Sequence, residues 1–154
     1  VIDYQGNLIE VIDILRHSES FDPETLLNDY AILKVCFQAH VAQKIFSALD
    51  LPHRADLTLV GWPETERTSL DPIKFYDGHM TNVINSLIVF TIDGIPGKTT
   101  IDGMSGGGIY FLRDGLAFLT GVEFKMDSIE QDQQYGRVQC HSLLKFEEII
   151  KIHK

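Results

Sequence analysis

The chain has 154 residues, of which 44% are hydrophobic and 23% charged, with a formal net charge of −9. This is the composition of one globular domain, or two small lobes, with enough length for a hydrophobic core. Its acidity argues against nucleic acid or anionic membrane as main partner, since both are held by basic patches, and no apolar run approaches the roughly 18 residues a spanning helix needs.

Residues Leu8–Leu15, rich in β-branched side chains, read as a half-buried strand after the turn at Gly6-Asn7. A polar loop from His17 to Asn28 leads into Asp29–Val35, a strand opened by an acid. Between Cys36 and Leu51, Phe37, Val41, Ile45, Ala48 and Leu49 recur at three- and four-residue steps and Pro52 stops the run, which predicts a short linking helix. Strands return with Leu57–Val60. A charged loop then runs to Pro72, and the apolar, β-branched stretch Asn82–Ile92 follows. Ile109–Leu112 and Leu116–Phe124 flank Arg113-Asp114-Gly115 as a hairpin, and Gly136–Cys140 is a last strand. Ser142–Ile152 is an amphipathic helix with Ser142 at the N-cap position. The two cysteines, Cys36 and Cys140, are too few for a disulfide scaffold and suggest a reducing, cytoplasmic setting; a bridge between them stays open.

The stretch with the clearest chemistry is Ile101–Tyr110, where Gly103, Gly106, Gly107 and Gly108 surround Ser105. A serine hydroxyl is a weak nucleophile that needs a base and N–H donors aimed at the developing oxyanion. Glycine frees the backbone to supply those donors and lets a ligand approach the main chain.

Taken with Asp29-Tyr30-Ala31-Ile32-Leu33-Lys34-Val35 and Leu59-Val60-Gly61-Trp62-Pro63, the sequence Gly103-Met104-Ser105-Gly106-Gly107 resembles the trypsin-like (chymotrypsin-fold) serine peptidases, in their compact, disulfide-poor bacterial branch. The resemblance covers about Gln5 to Cys140. It implies a mainly β, double-barrel fold: residues 1–36 end the first barrel, 37–56 link, 57–141 form the second barrel, and 142–154 are a terminal helix. It also implies a serine endopeptidase acting on a peptide or protein, through an acyl-enzyme on Ser105. Asp29 then orients the catalytic histidine, and the N–H groups of Gly103 and Ser105 form the oxyanion hole. Thr99, Thr120 and Gly121 border the primary substrate pocket. No acid falls at its base, so Lys or Arg is not the expected preference. Met104 occupies the position that is aspartate in zymogen-activated relatives, and a thioether cannot pair with a new N-terminal amine.

The family order requires a histidine before Asp29, and only His17 lies there, too near to span an intervening hairpin of roughly 20 residues. The expectation is therefore that the histidine lies on strands preceding Val1, in an N-terminal segment or further domains of the same protein, and that this chain alone is inactive. An inactive peptidase-like binding or regulatory module is the alternative. A third reading takes Gly-X-Ser-X-Gly as an α/β-hydrolase elbow, with Asp127 or Asp132 and His141 as partners. Serine chemistry needs no cofactor, and the histidines show no metal-ligand spacing.

Overall fold

The computed structural model describes residues 7–16, 30–36, 43–66, 73–84, 86–94, 101–126 and 136–153. The chain divides into two compact units, residues 1–42 with 145–154, and residues 43–144.

In the first unit β1 (Val11–Arg16) pairs antiparallel with β2 (Ala31–Val35), from Val11 opposite Val35 to Arg16 opposite Ala31. The ladder extends through Cys36 N–H to Glu10 O at 3.0 Å. The C-terminal helix α1 (Leu143–Ile152) begins at the boundary between the units. Its Ile149 is fully buried, and Phe146 meets the Tyr30 ring edge-on at 5.3 Å between centroids. As the amphipathic pattern predicts, Glu147, Glu148 and Lys151 face out.

The second unit is a closed antiparallel barrel of β3 (Asp56–Gly61), β4 (Lys74–Ile84), β5 (Leu87–Ile92), β6 (Gly108–Arg113), β7 (Leu116–Met126) and β8 (Arg137–Ser142). The order around the barrel is β3-β4-β5-β8-β7-β6, and β6 closes it against β3. Three hairpin-linked strands with a fourth returning beside the first make a Greek key, and closure leaves no free strand edge. Leu57, Leu59, Ile88, Phe90, Ile92, Ile109 and Val138 fill the interior, each at most 2% exposed. Each such side chain contributes about 1.5–3 kcal/mol of burial. The chain is thus mainly β with a C-terminal helix, as the pattern of apolar residues predicts. No helix among the described residues is long and apolar enough to cross a membrane.

Three local expectations are corrected. In the predicted helix of Cys36–Leu51, residues 43–47 are extended: Ile45 bridges Leu119, Phe46 N–H donates to Leu119 O at 2.9 Å, and among the described residues of the stretch only Ala48–Asp50 turn, as a 3-10 helix. The Phe46 ring packs on Phe111 and Phe118 at 5.1 and 5.8 Å, so the apolar spacing there serves the barrel wall rather than a helix face. The stretch Asn82–Ile92 is two strands, broken at Ser86, whose φ of 65° lies in the left-handed region. Ser142 ends β8, and its buried hydroxyl finds no partner among the described residues, so it does not cap α1. Cys36 and Cys140 are free thiols, the first exposed and the second buried.

Candidate active site

The turn that carries Ser105 runs into β6 just after two buried anchors, Ile101 and Met104, which are 5% and 1% exposed. Met104 N–H donates to Ile101 O at 3.0 Å and Gly107 N–H to Met104 O at 2.7 Å, giving two successive turns. Gly103 and Gly106, at φ 88° and 90°, hold backbone conformations that a side chain would strain. A Cβ on Gly103 would also lie 2.7 Å from the Glu64 nitrogen, whose N–H donates to Asp102 O at 2.7 Å. Met104 in turn depends on Gly61: a Cβ there would come within 2.8 Å of the Met104 methyl. The residues between the anchors (Asp102, Gly103) and those just past Met104 (Ser105, Gly106) are exposed.

Ser105 is thereby presented at the rim of a cleft of about 350 Å³, lined by the Gly103–Gly108 backbone together with Val60, Trp62 and Ile73. Among the described residues no acceptor takes the N–H of Gly103 or Ser105. The mouth is apolar, with Trp62 half exposed.

Behind the serine runs β7. Gly106 N–H donates to Glu123 O and Glu123 N–H to Gly107 O, each at 2.8 Å, so the turn is registered on Glu123. The β7–β8 ladder pairs Glu123 with Cys140 and Lys125 with Gln139, leaving Phe124 as a bulge. Bulges are commonly where a strand re-aims a group beside an active site. Here the Phe124 carbonyl accepts the Ser105 hydroxyl at 3.0 Å, while its ring stacks on the buried His141 at 4.0 Å. Glu123 itself is only 5% exposed. Burial pushes it up to about 7 from its ordinary 4.5, with the neighbouring Ser105 side chain pulling the other way. The thiol of Cys140 opposite is raised well above its usual range, first by burial and then by Glu123, so it stays protonated and unreactive.

The structure therefore brings Gly103 and Ser105 together with Glu123 and Phe124. Asp29, Thr99 and His17 lie outside the described residues, as do Asp127 and Asp132. Thr120 is fully buried and donates to Ile109 O at 3.0 Å, and Gly121 presses on β8, where a Cβ would lie 2.7 Å from His141 O. The segment of β7 beside the serine is Glu123–Phe124, two residues further along. The signal available in the sequence was an acid inside the otherwise uncharged run Leu116–Phe124. An α/β-hydrolase elbow requires a helix after the nucleophile; here Ser105 leads into β6 of an antiparallel barrel. Among the described residues no group of three or more His, Cys, Asp or Glu side chains could hold a metal ion.

Comparison with protein-family models yields no match, and comparison with curated proteins yields none.

Proposed function

We propose that the chain is part of a trypsin-like serine peptidase domain, its barrel being the second of two and Ser105 the acyl-accepting nucleophile. The observation that carries this reading is the presentation of Ser105: an exposed hydroxyl on a turn with two left-handed glycines, at the mouth of a cleft, beside backbone N–H groups with no acceptor among the described residues. In such a frame Oγ attacks the substrate carbonyl, and the N–H groups of Gly103 and Ser105 receive the charge of the tetrahedral intermediate. The Greek-key order of the barrel supports the fold half of the proposal, and the resemblance assigns the base to a histidine. The apolar rim of Val60, Trp62 and Ile73 suits an extended peptide with uncharged side chains.

A fluorophosphonate probe applied to the full-length protein tests this. Covalent labelling at Ser105, abolished by Ser105→Ala in a folded variant, is the expected result. Absence of labelling under conditions that mark a control peptidase favours the inactive binding module instead.

A further inference from the structure

We propose that the cleft beside Ser105 is the leaving-group subsite, where Trp62 and Ile73 select a large uncharged side chain on the residue after the scissile bond. The inference rests on Ser105 being the acyl-accepting nucleophile and adds which half of the substrate the cleft receives.

The placement follows from strand order. The Ser105 turn runs into β6, which has β3 as one neighbour and β7 as the other. On the β7 side the turn is tied down: Gly106 N–H donates to Glu123 O, Glu123 N–H to Gly107 O, and the Ser105 hydroxyl to Phe124 O. On the β3 side lies the cleft, between the Gly103–Gly108 backbone and Val60, Trp62 and Ile73. A peptide that crosses Ser105 with its scissile carbonyl at the Gly103 and Ser105 N–H groups has one half toward β7 and the other in this cleft. The peptidase reading puts the pocket for the acyl-side residue on β7, so the cleft is left for the residue that departs.

The lining fits a bulky apolar group. None of the described residues around the cleft is charged, and its volume is about 350 Å³. Gly61, Gly103, Gly106, Gly107 and Gly108 carry no side chain to fill it, and a Cβ on Gly106 would meet nothing within 4 Å. Bare backbone lets a substrate come close. The wall is apolar yet accessible, with Trp62 50% and Ile73 41% exposed. The β3–β4 register pairs Val60 with Phe75 and Gly61 with Lys74, so the next step sets Ile73 beside Trp62. Phe75, 67% exposed, continues the apolar band along β4. Pro63, directly after Trp62, is fully buried, so the indole is carried on an anchored backbone. Clustered exposed apolar groups mark a binding surface, and tryptophan is among the residues that contribute most to one.

Acyl transfer reads this half of the substrate by itself. With p-nitrophenyl acetate, the Oγ–carbon bond forms and p-nitrophenolate leaves. An added amine then attacks the acetyl carbon from the place where a leaving group departs. The carbon–nitrogen bond forms, the carbon–Oγ bond breaks, and the proton lost by nitrogen returns to Oγ. The acyl group is always acetyl, so the preference among amines reports the cleft.

The test compares acetyl transfer from Ser105 of the full-length protein to leucinamide and to glycinamide. Wild type should favour leucinamide about tenfold or more. Trp62→Ala should bring that ratio below about threefold, and Trp62→Phe should keep most of it. The ratio is internal to each protein, so it does not depend on how much of a variant is folded. Ile73→Ala should lower it in the same direction and serves where Trp62→Ala yields no folded protein. A ratio unchanged in these variants overturns the proposal, and fluorophosphonate labelling of Ser105 then still leaves the nucleophile in place. Variants that keep the ratio but lose rate on esters with bulkier acyl groups assign the cleft to the acyl half and overturn it equally. Absence of both labelling and acetyl-enzyme at Ser105 removes the nucleophile, and both readings fall.

Discussion

Two constraints coincide at Gly103. Its φ of 88° is strained for any L side chain, and a Cβ would meet the Glu64 nitrogen at 2.7 Å, across the hydrogen bond that fixes the turn to Pro63-Glu64. Left-handed strain costs roughly 1–3 kcal/mol, and backbone on both sides of the clash leaves little room to relax. Gly103→Ala should therefore destabilise the protein by about 2–3 kcal/mol in urea unfolding and slow Ser105 labelling well beyond any loss of folded protein. A variant of wild-type stability that labels normally would show that this glycine holds nothing in place. Ser105 and Gly103 were legible as a candidate site because a serine among glycines marks a turn whose backbone N–H groups can be exposed. Glu123 was not: an acid on a strand usually marks a solvent face, and the register of β7, with its bulge at Phe124, is what sets this one behind the Ser105 turn.

The β6–β7 hairpin shows which element the residues specify most directly. Asp114 and Gly115 adopt φ of 52° and 73°, the two left-handed positions of a type I′ turn, whose twist matches that of the strands it joins. A Cβ on Gly115 would meet nothing within 4 Å, so only backbone strain opposes it. Gly115→Ala should cost about 1–2 kcal/mol without altering Ser105 labelling, read by thermal unfolding and probe kinetics together. Gly107→Ala should cost more, because its Cβ would meet the carbonyl oxygens of Met104 and Val60 at 2.8 and 2.9 Å. The first part of β4 was hidden for a physical reason. Its inward positions are Tyr76, Gly78 and Met80, interleaved with the largely exposed Phe75 and with Asp77 and His79, so hydrophobic alternation is inverted at its start. Gly78 is there because a side chain would run into the Thr91 carbonyl on β5, a contact that exists only once the barrel closes. The same holds for Ile45 and Phe46, whose helical spacing is resolved by a bridge to Leu119.

At the scale of the whole molecule, burying Glu123 couples stability to pH. Folded, the group titrates at about 7; unfolded, it returns to its ordinary 4.5. Below the lower value it is protonated in both states and costs nothing extra. Between the two the unfolded chain releases a proton that the folded chain keeps, so stability falls as pH rises. Above the higher value the folded state carries the whole cost of the buried charge, about 3 kcal/mol. Cys140 remains neutral through this window and does not contribute. The net charge of −9 adds a general self-repulsion at higher pH, but Glu123→Gln changes it by one charge only, so the difference between the two proteins isolates the buried group. Urea unfolding at pH 4.5, 6 and 8 should show wild type losing about 3 kcal/mol relative to Glu123→Gln, most of it before pH 7. Parallel pH slopes would mean that Glu123 ionises as freely in the barrel as in the unfolded chain. Above about pH 7 the folded protein ionises as well, and the difference between the two proteins levels off.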